Sequence, residues 1–242
     1  MTNMSKFVFI AGGGYFGTNA VRFYKARRDI NVLFSDIDVN CPAGKYADLV
    51  IQSLDELDFS KGVNMIVADA AEVLTELFAR GTIPELIIPA VPGHFAAKAL
   101  KNYLERNGLK VSPFKDPLEN VYRELSSRGL AISVDKANSV IVCSYMPFDL
   151  KCKVPCPQPE ICPVTKRRKE KVMYELLNEI VKNVDVVYIL RSSLITKNVG
   201  GFKGKELLEI VNECLRRKHC SLMIGTACRC HGIVNFLKIE SD

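Results

Sequence analysis

The sequence predicts an α/β protein: a doubly wound parallel sheet in its N-terminal part, then a second, smaller α/β domain carrying a cysteine cluster. Three observations predict it. Short apolar runs alternate with helix-compatible segments of roughly 10 to 15 residues, the rhythm of strand-helix-strand units. The first apolar run, Phe7, Val8, Phe9, Ile10 and Ala11, ends in G-x-G-x-x-G formed by Gly12, Gly14 and Gly17. Five of the nine cysteines fall in two short stretches beyond residue 150, far from the glycines.

In order, residues 7–11 read as a buried strand and residues 15–28 as the first helix. Strands are expected over 31–35, 47–51, 64–68 and 85–89. Asp69 suits the N-cap of a helix over 70–80 that stops at Gly81, and Pro92-Gly93 turns the chain into a helix over 94–106. Near residue 109 the character changes, dividing the chain into a nucleotide-binding domain, 1–108, and a cysteine-rich domain, 109–242. Strands over 130–134 and 139–144 flank a hairpin turn at 135–138. A Pro- and Cys-rich loop over 146–165 precedes a helix over 166–183 and a strand over 184–190. A flexible loop over 196–204 leads to a helix over 205–217. Strands over 221–225 and 232–239 flank Cys228-Arg229-Cys230-His231.

Each fingerprint glycine has its own mechanical reason. Gly12 permits a tight turn, Gly14 lets a diphosphate approach the backbone, and Gly17 lets the helix sit close to the strand. Gly13, Tyr15 and Phe16 complete the phosphate-facing loop. Asp36, nineteen residues after Gly17, ends the next apolar run, where an acid accepts hydrogen bonds from ribose hydroxyls. The alternative is a glycine turn that only tightens a strand-helix junction in a fold without a ligand. These residues resemble NAD(P)-binding Rossmann domains, including those of Trk-type potassium-uptake regulators and small dehydrogenases. The longer string through Asp36-Ile37-Asp38, Cys41-Pro42-Ala43 and Ala47-Asp48 is also similar to the N-terminal domain of ATP-grasp ligases, taken here for its fold only. Both resemblances end between residues 55 and 100. They imply a Rossmann-like fold with NAD or NADP as cofactor; the negative charge of Asp36 repels a 2′-phosphate and so tilts the choice to NAD.

The cysteines carry a second expectation. Cys152, Cys156 and Cys162 are spaced C-x3-C-x5-C among prolines, which rules out helix and central strand and stiffens the loop. Cys228, Cys230 and His231 are the natural donors of a fourth ligand, giving structural zinc or an iron-sulfur cluster. A redox-active dithiol and unliganded or disulfide-bonded cysteines are the alternatives. Cys41, Cys143, Cys214 and Cys220 lie in or beside apolar runs and read as small buried hydrophobes, Cys41 standing nearest the nucleotide loop.

Among other candidates, His94 follows a strand at the sheet's carboxyl edge, where it can touch a cofactor or simply begin a helix. Asp69 can meet a ribose, although capping suffices to explain it. Arg191-Ser192-Ser193 with Gly200-Gly201 offers a second anion site or only a loop. His219 reads as a solvated helix end. A net charge of +6 is partly concentrated in residues 166–171, a solvated face rather than a nucleic-acid platform, since no aromatic residues interleave with it. No Ser-His-Asp order, H-E-x-x-H or Walker sequence appears, which removes support for hydrolase and triphosphatase mechanisms. No apolar stretch suits a membrane span and no signal pattern opens the chain, so it reads as cytoplasmic. The expected function is that of an NAD(P)-binding redox protein or redox sensor with a cysteine-ligated site, served by an electron-transfer partner. The alternative is a non-catalytic, nucleotide-responsive regulator with structural zinc, and either can be a homo-oligomer.

Overall fold

The structure, a computed structural model, describes residues 6–27, 29–153, 156–197 and 199–241. In chain order the first elements are β1 (Phe7–Ala11), α1 (Tyr15–Lys25), β2 (Asn31–Asp36), β3 (Leu49–Ile51), β4 (Val63–Val67), α2 (Ala70–Ala79), β5 (Leu86–Pro89) and α3 (Phe95–Arg106). Next come β6 (Leu109–Pro113), α4 (Asp116–Ser127), β7 (Ala131–Asp135), β8 (Val140–Ser144) and α5 (Met173–Ile180). The chain ends with β9 (Val186–Arg191), β10 (Ser193–Thr196), β11 (Val199–Gly201), α6 (Gly204–Arg217), β12 (Cys220–Ala227) and β13 (His231–Ser241). It forms two compact units, Met1–Asn102 with Ser193–Glu209, and Tyr103–Ser192 with Ile210–Asp242. No helix among the described residues is long and apolar enough to cross a membrane.

The first unit holds a five-stranded, all-parallel sheet in the order β3-β4-β2-β1-β5. Every residue of β1 is buried, as a strand covered on both faces requires, and its sequence is accordingly a continuous apolar run. From β1 the chain steps through α1 to β2 on one side, whereas α2 carries it from β4 back across to β5 on the other. Right-handed crossovers in opposite directions put α1 and α2 on opposite faces, which is the doubly wound arrangement. The order reverses at β1, so a crevice opens beyond the carboxyl ends of the strands. Within the stretch 196–204, expected as a flexible loop, Val199–Gly201 instead pairs with β10 as β11 and delivers Phe202 to the outer edge of β5. There Phe202 and Ile87 exchange both backbone hydrogen bonds, at 2.8 and 3.0 Å.

The second unit is built on a mixed sheet in the order β7-β8-β13-β12-β9, with β6 also paired to β13. β6 and β8 share one edge of the long β13, β8 opposite residues 231–235 and β6 opposite 237–241. Leu118, Val121 and Leu125 of α4 and Met173, Leu176 and Leu177 of α5 pack on Ile141, Met223, Val234 and Phe236 of the sheet. Neither β6 nor α4 was anticipated from the sequence. The helix expected over 166–183 is only Met173–Ile180. Lys166 adopts a left-handed φ of 59°, and residues 160–169 fold back as a narrow hairpin whose single bridge joins Ile161 to Arg168. A run of six charged residues offers no apolar stripe to hold a helix down, so the helix starts where the apolar spacing does.

Candidate functional site

The glycine turn lies between β1 and α1. Gly12 has φ +100°, and a Cβ there would stand 2.8 Å from the Ala90 carbonyl oxygen. A Cβ on Gly17 would lie 1.8 Å from the Gly12 carbonyl oxygen, which is why the first turn of α1 can press against the strand end. Gly14 differs: no atom lies within 4 Å of a Cβ built on it, so that face of the turn is open. Gly14 is also the N-cap of α1, with no side-chain cap and no acid in the first turn, which leaves the helix N-terminus for an external anion.

Gly13, for which the sequence suggested no separate role, is the most tightly held residue of the loop. Its N–H donates to Asp36 Oδ2 at 2.6 Å, and its carbonyl accepts from the Ala43 N–H at 2.9 Å and the Thr18 hydroxyl at 3.1 Å. Cys41 covers its Cα, the sulfur lying 2.3 Å from where a Cβ would be. Burial, the largest influence, pushes the Cys41 thiol up, in keeping with its packing against Gly13.

Asp36 ends β2 at the rim of a cleft of about 380 Å³ beyond the carboxyl ends of the strands. Ser35, Ile37, Ala68, Asp69, Val91 and His94 share its wall, with Lys98 reaching in from α3. Oδ1 of Asp36 accepts the Asp38 N–H at 3.0 Å, so both carboxylate oxygens are oriented by backbone and each keeps acceptor capacity. Ser35 donates its hydroxyl to the Ala68 carbonyl at 2.6 Å, tying the ends of β2 and β4 together beneath the cleft. Asp69 caps α2 through the amides of Ala71 and Glu72 at 2.9 and 3.3 Å, while its second oxygen pairs with Lys98 at 2.6 Å. Burial raises the Asp69 carboxyl, but Lys98 and the helix amides outweigh it and hold the group below the usual carboxylate range. Tyr15 and Phe16, at the start of α1, are exposed and meet edge to face at 5.3 Å.

In the second unit the proline-cysteine loop folds onto the turn between β12 and β13. That turn is pinned by Tyr145, whose N–H donates to the Cys230 carbonyl at 2.9 Å, and by Met173, whose N–H donates to the Arg229 carbonyl at 3.1 Å. Gln158 stitches the loop to it. The Gln158 side-chain oxygen accepts the Arg229 N–H at 3.1 Å, its backbone oxygen accepts Arg229 Nε at 3.0 Å, and its Nε2 donates to Cys228 Sγ at 3.2 Å. The Cys228 sulfur also accepts the amides of Cys230 at 3.4 Å and His231 at 3.3 Å, and faces His231 Nδ1 at 3.5 Å. The other ring nitrogen, Nε2, faces Cys152 Sγ at 3.6 Å. Burial opposes ionisation of Cys228, yet His231 and the two amides bring its thiol down to about 7. Cys230 moves the other way: burial pushes it up to about 11, partly offset by Lys169. Cys152 is raised by burial and then by the neighbouring charges of Cys156, Cys162 and Cys228.

All nine cysteines are free thiols, and Cys41, Cys143, Cys214 and Cys220 are buried as small hydrophobes. Among the described residues no group of three His, Cys, Asp or Glu side chains is already arranged to hold a metal ion. The structure thus gathers Cys152, Cys156, Cys162, Cys228, Cys230 and His231 into one neighbourhood without closing them on a common point. The role expected of Pro155 in stiffening the loop falls outside the described residues.

A family model, AF_1314_C, described as the C-terminal domain of an uncharacterized protein, matches residues 96–240. The chain belongs to this family. A full-length relative, an uncharacterized protein of Archaeoglobus fulgidus, is 30% identical over 230 residues, covering 95% of this chain and 98% of its own. No solved structure matches the chain. The AF_1314_C match contains all six of the thiol and imidazole candidates, whereas the glycine turn and Asp36 precede it.

Sequence reasoning missed Gln158, Lys98 and Lys169. Lys169 is 4% exposed, although it sits in a run of charges whose neighbours Arg167 and Arg168 are exposed. Its inward direction follows from the narrow hairpin, in which successive side chains point to opposite faces. Arg168 turns outward to Glu160 at 2.6 Å while Lys169 turns in to the Pro159 carbonyl. Composition carries no signal for that alternation.

Proposed function

We propose that the first unit binds an adenine dinucleotide, NAD(H) in preference to NADP(H), and that the protein is a cytoplasmic NAD-linked redox protein or redox sensor. The observation that carries this reading is the Asp36 carboxylate, held on the Gly13 amide at 2.6 Å beside a glycine whose Cβ direction is empty. A diphosphate fits that open face and the uncapped N-terminus of α1. The ribose hydroxyls donate to Asp36, and the adenine ring enters the cleft between Ile37, Ala68 and Val91. Ile37 is 77% exposed, an apolar surface that a base would cover. Among the described residues Lys98 is the only Lys or Arg lining the cleft and is already neutralised by Asp69, so a 2′-phosphate beside Asp36 meets net repulsion. Such a dinucleotide carries a hydride when bound. The chain's own residues orient it, and His94 and Lys98 line the wall within reach of it.

Titration of the protein with NADH, NADPH and ADP-ribose, followed by nicotinamide fluorescence and calorimetry, tests this. NADH and ADP-ribose are expected to bind and NADPH to bind more weakly; failure of every dinucleotide to bind rejects the reading. Steady oxidation of bound NADH by an added electron acceptor supports the redox protein. Binding that changes assembly state without consuming the nucleotide supports the nucleotide-responsive regulator instead.

A further inference from the structure

The cysteine neighbourhood of the second unit contains one local device built three times. Cys156 Sγ accepts the N–H of Gln158, two residues on, at 3.4 Å. Cys162 Sγ accepts the N–H of Thr165, three residues on, at 3.5 Å. Cys228 Sγ accepts the amides two and three residues on, from Cys230 and His231, at 3.4 and 3.3 Å. A neutral thiol is a weak acceptor, whereas a thiolate is a good one, so turns that aim amides at their own cysteine sulfur organise thiolates. Three such turns come together because Gln158 binds the loop to the β12–β13 turn. Gln158 itself has φ +55°, a left-handed strain that its four hydrogen bonds sustain.

Charge supplies an independent argument. Residues 149–171 carry seven cations, Lys151, Lys153, Lys166, Arg167, Arg168, Lys169 and Lys171, against three carboxylates, Asp149, Glu160 and Glu170. Two-thirds of the chain's net +6 therefore lies in the sequence stretch that holds three of these cysteines. Lys169 is buried among them, with a neutral carbonyl and the Cys230 sulfur as its hydrogen-bond partners. A buried ammonium calls for a nearby anion. Four thiolates around zinc, or around a cubane iron-sulfur cluster in its common oxidised state, each leave about two net negative charges, which the buried Lys169 offsets in part.

We propose that Cys152, Cys156, Cys162 and Cys228 form a tetrathiolate metal centre, with His231, Gln158 and Lys169 as the outer groups that orient and charge-balance it. Cys152 is the fourth ligand because His231 bridges it to Cys228 through its two ring nitrogens, at 3.6 and 3.5 Å. Cys230 stays outside the set as a supporting residue, its N–H donating to the Cys228 sulfur at 3.4 Å. Among the described residues the side chains do not close on one point, and a zinc ion would require the four sulfurs to turn inward to about 2.3 Å from it. Thiols that are still protonated release their protons to solvent as the metal binds, and no electron is transferred. The chemistry is that of a soft, thiolate-seeking metal, and zinc and iron-sulfur are the two sources.

The test is metal analysis of the full chain prepared anaerobically, with acid-labile sulfide and an absorbance spectrum. About one zinc per chain without visible absorbance, or about four iron and four sulfide with a broad band near 400 nm, supports the centre and distinguishes its two forms. Cys162→Ser and Cys228→Ser should each lose most of the metal, while Cys230→Ser and Cys214→Ser keep it. Should the first two variants fail to fold, cobalt(II) added to metal-free wild-type protein reads the same ligands: strong sulfur-to-cobalt charge-transfer bands are expected. Wild-type protein that takes up no zinc, cobalt or iron-sulfur after anaerobic reconstitution overturns the proposal. Full loading of a Cys162→Ser, Cys228→Ser double variant overturns it too. No dinucleotide enters these experiments, so their outcome is separate from that of the NAD reading.

Discussion

The Gly13 N–H points at Asp36 Oδ2 across 2.6 Å, joining the end of β1 to the end of β2 through one charge-assisted hydrogen bond. Twenty-three residues apart in the chain, the two set the height of the glycine turn relative to the carboxylate. That single contact makes the turn and the acid one site. Replacing Asp36 by Asn keeps the shape and removes the charge. It should weaken NADH binding roughly 10- to 100-fold, the worth of about 1.5–3 kcal/mol for hydrogen bonds to a charged group. Calorimetric titration measures this, and equal affinity in the variant would separate Asp36 from the ribose.

Gly14 and Gly17, two of the fingerprint glycines, should fail in different ways. Gly14→Ala places its methyl in open space, so its stability should fall only by the loss of a glycine N-cap, about 0.5–1 kcal/mol, while dinucleotide affinity falls at least about tenfold through steric exclusion of the diphosphate. Gly17→Ala drives a methyl to 1.8 Å from a backbone carbonyl, and overpacking there should cost about 3 kcal/mol in urea unfolding. If Gly14→Ala binds normally, the diphosphate does not approach that face.

Acid stability should report on Asp69. Its carboxyl is held below the ordinary range when folded, so the stability it contributes is complete above its unfolded value near pH 4 and disappears as pH falls through the lower folded value. Asp69→Asn retains the cap on α2 but gives up the Lys98 pair, and should show a flatter loss of stability below about pH 4. Asp69→Ala also loses the cap, worth about 1 kcal/mol at neutral pH. Denaturant melts at several pH values distinguish the two.

Alkali should act through Cys143. Burial pushes its thiol up to about 12, and the sulfur donates to the Gly232 carbonyl at 3.4 Å in the core of the second unit. The unfolded chain ionises first, so this residue's contribution is intact below about pH 9 and declines by about 1.4 kcal/mol per pH unit above it. Cys143→Ala should lose stability less steeply between pH 9 and 11 than wild type does. In native protein at pH 8, Cys143 should also resist alkylation that denaturant then permits, as read by mass spectrometry.

How far the sequence reaches differs between the two sites. Gly12, Gly14, Gly17 and Asp36 were legible because each answers a local backbone demand: a positive φ, an open face, a close approach, the end of a strand. Gly13 was named with the loop, but the reason for a glycine there was not legible, because what it must avoid is the sulfur of Cys41, brought there by a loop 28 residues away. Cys152, Cys156 and Cys162 announced themselves by spacing, but Gln158 and Lys169 looked like any loop glutamine and any surface lysine.

By itself, the sequence determined the alternation of strands and helices, the glycine turn and the acid that follows it, and the presence of thiols in two clusters. These depend on periodicity and on φ/ψ limits that act within a few residues. Only the tertiary structure decided that β6 pairs with a strand more than a hundred residues later, that Phe202 joins β5, and that Lys169 faces the sulfurs while Arg168 faces water. An apolar face specifies that it must be covered and leaves its partner open; the partner is set by the packing of the whole core, which no local window contains.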